Sequence, residues 1–215
     1  MLTAAAVLHG CSSTSGDELR YRTTIEYFNE GYKYTASSVN SMTAIRYYDY
    51  NLQNNGWNLS CNLSAYAIPL KLREVTVFAL LDRHSGEKAG YGQCSIVYGT
   101  FWLYEQMHQS DWLAIWNKLA KSQSKEFIQQ GFYPRFMVVD RGGDLGSGRI
   151  VKSEDLRNYG MEIHEMSISI TRDELTKIPR EIVDIGCEPT TKLNKYTTEQ
   201  PKCNSLIARN DDRQN

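Results

Sequence analysis

Side-chain alternation with a period of two constrains this chain more than any other feature. Residues 57–65, Trp-Asn-Leu-Ser-Cys-Asn-Leu-Ser-Ala, carry apolar side chains at odd positions, as a strand with one buried face does. Met161–Ile170 alternates too, with the phase switching after Glu165, which predicts a β-bulge or two short strands. Val75–Leu81 and Phe136–Asp140 are short apolar runs that read as buried strands. Tyr91–Tyr98 alternates again. Joined to Val75–Leu81 by the turn-rich stretch 82–90, it predicts a hairpin over roughly residues 74–100. Pro69 restricts its surroundings to a strand end or a sheet edge, because it has no N–H to give a ladder.

The helical period dominates one segment. Trp112, Ile115, Trp116, Leu119, Phe127 and Ile128 recur at three- and four-residue steps. With Ser110 or Asp111 as a cap and Gly131 after the end, they predict a helix over residues 111–130 packed on a sheet. Thr171-Arg172-Asp173-Glu174 has capping-box spacing for a short helix that Pro179 would end. Ile182–Ile185 reads as one more strand. Strands in runs around one long helix, without βαβ alternation, predict an α+β domain. Its sheet is mainly antiparallel, with one long amphipathic helix at about 111–130. The sequence carries no internal repeat.

Composition narrows the function classes. The chain has 215 residues, 41% of them hydrophobic, which excludes collagen, coiled coil and wholesale disorder. Twenty-four Lys and Arg oppose 25 Asp and Glu, for a net charge of -1. That balance gives no electrostatic reason for a nucleic-acid partner.

Thr3–Leu8 is a short apolar run, followed by Leu8-His9-Gly10-Cys11 and the polar stretch Ser12–Gly16. This resembles the end of a bacterial lipoprotein signal peptide. Leu8, Gly10 and Cys11 match the aliphatic, small and cysteine positions of the lipobox, while His9 departs from the residue usual between them. The resemblance covers about fifteen residues and implies no fold for the rest. It implies a partial signal peptide over residues 1–10 and a lipidated tether over 11–20. Acyl chains on Cys11 would contribute about 0.8 kcal/mol of membrane affinity per buried methylene. Ser12, rather than Asp, after the cysteine implies sorting to the outer membrane, facing the periplasm. A charged n-region is missing and the apolar run is short, so the expected translation start lies upstream of Met1.

Five cysteines then divide into one anchor and four others. Cys61, Cys94, Cys187 and Cys203 lack metal-site spacing, and an oxidising periplasm would pair them. In a cytosolic protein they would instead be reduced thiols. Of the possible connectivities, the polar, Pro-bounded segment between Cys187 and Cys203 favours that bridge, leaving Cys61–Cys94. The second bridge conflicts with a simple meander. There, Cys61 would lie two strands from Cys94, whereas a disulfide needs Cα atoms about 4.4–6.8 Å apart. The expected organisation is a single disulfide-stabilised domain over residues 21–203, with a disordered tail over 204–215.

Candidate chemistry is sparse. Gly143–Gly148 has the glycine spacing of a phosphate loop, but Arg149 and Ile150 stand where Lys and Ser/Thr are needed. The glycines more simply supply turns, so no nucleotide is expected. Neither G-x-S-x-G nor H-E-x-x-H occurs. Cys94 with His84, His108 or His164 as base would be a nucleophile pair, but a disulfide explains the cysteine more simply. Glu162, His164 and Glu165 are candidate metal ligands only by proximity. No cofactor, metal or catalytic residue is assigned. Seven of the 14 tyrosines lie between Tyr21 and Tyr50. Of these, Tyr27, Tyr32, Tyr34, Tyr47 and Tyr48 are the expected binding surface, since tyrosine joins an apolar body to a polar tip. The sequence therefore points to a periplasm-facing binding or assembly-accessory module of the envelope, whose partner is an envelope or secretion complex, peptidoglycan, or a toxin or enzyme that it inhibits. The alternative is a periplasmic hydrolase with dispersed catalytic residues.

Overall fold

The computed structural model describes residues 13–48, 57–84, 94–106, 109–143, 145–184 and 206–209. The chain opens with β1 (Ser13–Ser15), β2 (Leu19–Asn29), β3 (Tyr32–Tyr48), β4 (Trp57–Tyr66), β5 (Ile68–Lys71) and β6 (Val75–His84). Three helices follow: α1 (Ser95–Thr100), α2 (Leu103–Gln106) and α3 (Trp112–Ala120). Then come β7 (Lys125–Phe127), β8 (Pro134–Asp140), β9 (Arg149–Val151) and β10 (Met161–Ile170). Last are α4 (Arg180–Asp184) and β11 (Ile207–Arg209).

The strands form two sheets. One has the order β11-β4-β3-β2-β10-β7, with β1 also paired to β3, and it curls into a half-barrel. The other has the order β5-β6-β8-β9. Every pairing in both is antiparallel. The mainly antiparallel expectation holds, and the chain passes between sheets at the single residue Ala67. Pro69 sits on β5, an edge strand, as its missing N–H requires.

Alternation explains the main core. On β2 the odd residues Leu19, Tyr21, Thr23, Ile25 and Tyr27 are buried. Their partners across β3, from Met42 to Tyr34, share that face. Leu63, Val77, Phe136, Val138 and Trp116 join the same cluster. β6 and β8 are buried on both faces. Phe78, Leu80, Met137 and Val139 form a second cluster with Ile182 and Leu206. A continuous apolar run is the pattern a doubly covered strand requires. The register of β10 against β2 shifts between Ile163 and Glu165. His164 is the bulged residue beside the predicted phase switch.

The long helix is not present. Helix α3 ends at Ala120, and Ser124 N–H donates to the Ser122 hydroxyl at 3.2 Å. Serine offers the backbone that local alternative to the helix. Phe127 and Ile128, expected on the helical stripe, lie instead in and just after β7, where Ile128 N–H donates to Met166 O at 2.9 Å.

Of the returning strand expected over residues 91–98, residues 94–98 are not strand, and residues 91–93 lie outside the described residues. Ser95–Thr100 is helical and buried all round, so its periodicity could not separate helix from strand. Gly99 is seated on the Phe132 ring, with no room for a Cβ.

The capping box at Thr171 starts no helix. The Thr171 hydroxyl bonds Asp173 Oδ2 at 2.7 Å, and that carboxylate pairs with Arg22 of β2. The stretch 171–179 then runs over β3, where Thr176 N–H donates to Val39 O at 2.9 Å. The helix begins after Pro179 instead of ending before it, and Ile182, expected in a strand, lies in α4.

Two segments beyond the expected limits of the domain carry structure. Ser13–Ser15, expected in the tether, pairs with β3. Residues 206–209, expected in a disordered tail, bring buried Leu206 and strand β11 against β4. Strand pairing orders Ser13–Ser15, and at 206–209 it is joined by burial of the Leu206 side chain.

Candidate functional site

Among the described residues, the β2–β3 hairpin carries three of the five exposed large aromatic side chains, Phe28, Tyr32 and Tyr34, the others being Trp102 and Phe127. Its turn is Glu30-Gly31, with φ of 50° and 81°. Two consecutive positive φ values between Asn29 and Tyr32 make a type I′ connection, whose twist matches that of the strands it joins. The tight turn holds the strand ends in register from Asn29↔Tyr32 onward.

Two aromatic groups flank this end. On the inward face Tyr27 and Tyr34 are cross-strand partners, their rings stacked with centroids 5.5 Å apart. Tyr27 is buried. Its hydroxyl is hydrogen-bonded by the backbone of Lys71, while burial and the Tyr34 phenol push its pKa upward. Lys71 belongs to β5, so this contact ties the hairpin to the second sheet. Beyond the stack, Tyr32 is 70% exposed. On the opposite face Phe28 meets His164 edge to face, with centroids at 5.4 Å. An open cleft of about 330 Å³ lies beside Phe28, lined also by Gly31, Arg157 and Glu162. Glu30 also lines it, and two of its three charged residues pair, Arg157 Nη2 to Glu162 Oε1 at 2.9 Å.

Tyr27, Tyr32 and Tyr34 therefore lie together, but Tyr47 and Tyr48 do not. The latter occupy the far end of β3, opposite Asn58 and Trp57 of β4. That is roughly 40 Å away along the strand, at about 3.3 Å per residue. The expected five-tyrosine surface is two separate places. Phe28 was missed, although it is the one large apolar residue at an even position of β2, out of phase with its neighbours. His164 enters through the bulge.

The other candidates resolve simply. The Cys61–Cys94 disulfide is present, with Cα atoms 6.3 Å apart. The meander conflict vanishes because Cys94 precedes helix α1 and does not sit on a strand. Cys94 is thus no nucleophile. Cys11, Cys187 and Cys203 lie outside the described residues. Gly142, with φ of 71°, sits in the β8–β9 connection, consistent with a turn. Glu162, His164 and Glu165 do not converge, and no group of three His, Cys, Asp or Glu suited to a metal ion occurs among the described residues. No helix among the described residues is long and apolar enough to cross a membrane.

Chemically, the hairpin end offers stacking and apolar contact bordered by the charged side chains Glu30, Arg157 and Glu162. It suits recognition of a surface. No protein-family model, curated protein or solved structure matches this chain.

Proposed function

We propose that this chain is a bacterial envelope lipoprotein, anchored to the outer membrane by acyl chains on Cys11 and facing the periplasm, whose folded domain works by binding. The partner is an envelope protein or peptidoglycan, and inhibition of an enzyme or toxin is the sharper form of this reading. The observation that carries the binding role is the aromatic end of the β2–β3 hairpin. Phe28, Tyr32 and Tyr34 are all exposed there on a hairpin held by the stacked Tyr27. Aromatic side chains on a rigid support lose little conformational freedom on binding, which makes them the usual anchors of interfaces. The Cys61–Cys94 bridge supports an oxidising address.

Two measurements test the proposal. Intact mass of the protein made from its native gene is expected to show a chain beginning at acylated Cys11. An unprocessed chain with free thiols would refute the localisation. Capture from envelope membranes with the lipoprotein as bait is expected to retain a component that Phe28→Ala and Tyr32→Ala each lose. Retention indifferent to both would refute the binding surface.

A further inference from the structure

Strand β3 is longer than its neighbours, and one of its edges is covered in stages. Residues 41–48 pair with β4 on that side. At Val39 the cover is a single residue: Val39 N–H donates to Thr176 Oγ1 at 2.7 Å, and Thr176 N–H donates to Val39 O at 2.9 Å. Val39 therefore turns its backbone groups away from β2. By the alternation of an antiparallel ladder, Lys33, Thr35 and Ser37 do the same. Those three residues are exposed, and no backbone partner faces them among the described residues. An open row of this kind is a template for another strand. This stretch has no proline or bulge, and its one lysine is neutralised, with Lys33 Nζ 2.7 Å from Glu26 Oε2.

We propose that a second copy of this chain fills this edge, its own Lys33–Ser37 running antiparallel about a two-fold axis at Thr35. In that register Thr35 faces Thr35, and each Lys33 faces a Ser37. Every free N–H and C=O of the row is used, in about six hydrogen bonds, since each narrow pair exchanges two. On the inward face each Tyr34 ring lands beside the partner's Ala36, large against small. On the outward face no two like charges stand opposite one another. The hairpin turn at one end and Thr176 at the other limit both copies to the same length of edge. The symmetry is isologous, as most two-fold interfaces are. This self-association stands independently of the function proposed above.

Sedimentation of the full 215-residue chain from micromolar to millimolar concentration is expected to show a monomer–dimer equilibrium. Thr35→Pro is expected to abolish the dimer while keeping the cooperative urea transition, because the Thr35 N–H has no backbone partner among the described residues. Thr35→Lys and Thr35→Glu place like charges across the axis, so each alone is expected to be monomeric and their mixture to associate. If Thr35→Pro unfolds the chain, that charge-swap mixture decides. A wild-type chain that stays monomeric overturns the proposal, whether its edge amides shift only with an added synthetic strand peptide or are already protected by another segment of the same chain. A dimer indifferent to the Thr35 substitutions overturns it equally.

Discussion

The indole Nε1–H of Trp116 donates to the backbone carbonyl of Asp17 at 2.7 Å, joining the start of the fold to helix α3. Around that bond Asp17 N–H donates to Asn117 Oδ1 at 2.9 Å, and Lys121 Nζ lies 3.1 Å from the Asp17 carboxylate. Gly16 N–H meanwhile donates to Ala44 O at 3.0 Å, and its Cα rests on the indole with no space for a Cβ. Gly16→Ala must displace a fully buried tryptophan, so it is expected to cost about 1–3 kcal/mol. Trp116→Phe removes the donor and leaves a void, at about the same cost. Urea midpoints of the two variants check both figures.

The Cys61–Cys94 bridge closes a sequence separation of 33 residues. Chain entropy assigns such a loop about 3–4 kcal/mol. The double variant Cys61→Ala/Cys94→Ala is expected to lose that much stability. Added reductant should lower the wild-type urea midpoint by the same amount at this site and leave the variant's unaffected through it.

Glu30 adopts φ of 50° in the hairpin turn, where a non-glycine residue pays roughly 1–2 kcal/mol and asparagine pays less. Glu30→Asn is expected to raise stability by about 0.5–1 kcal/mol. Differential scanning calorimetry would register it as a higher Tm.

Acid sensitivity follows from three paired carboxylates. Hydrogen bonds from the Thr171 hydroxyl and the Arg22 guanidinium hold the Asp173 pKa below its ordinary value. The Lys33 ammonium does the same for Glu26, and the Lys71 ammonium for Glu181. A carboxylate whose folded pKa is depressed contributes stability that is present above its unfolded pKa, near 4, and lost as pH falls through the folded value. The urea midpoint is thus expected to fall on acidification below about pH 4. Asp173→Asn, which removes one such group, is expected to make that fall shallower.

Legibility in the sequence tracked how one-sided each element is. β4 and β10 bury one face and present the other to solvent, so alternation located both and even flagged the bulge near His164. β6 and β8 showed as apolar runs because each is covered twice. Where burial is complete, as over Ser95–Thr100, apolar residues carry no direction and the helix read as a strand. The stripe through Phe127 and Ile128 misled for another reason. Three- and four-residue steps recur by chance across a serine-rich turn that ends the helix. In the hairpin the tyrosines were visible as composition. Which of them meet depended on the length of β3, and chain composition says nothing about distance along a strand.

The pairing of Ile207–Arg209 with Ser64–Tyr66 also sets when folding can finish. Until residue 206 is available, Phe78, Leu80, Met137 and Val139 lack part of their cover, and β4 lacks an edge partner. Contacts spanning so much of the chain are slow to form and incur their loop entropy before they are rewarded. A growing or threading chain is therefore expected to stay loose until residues 206–209 arrive. Arrival of that segment completes the outer edge and seals the second core together.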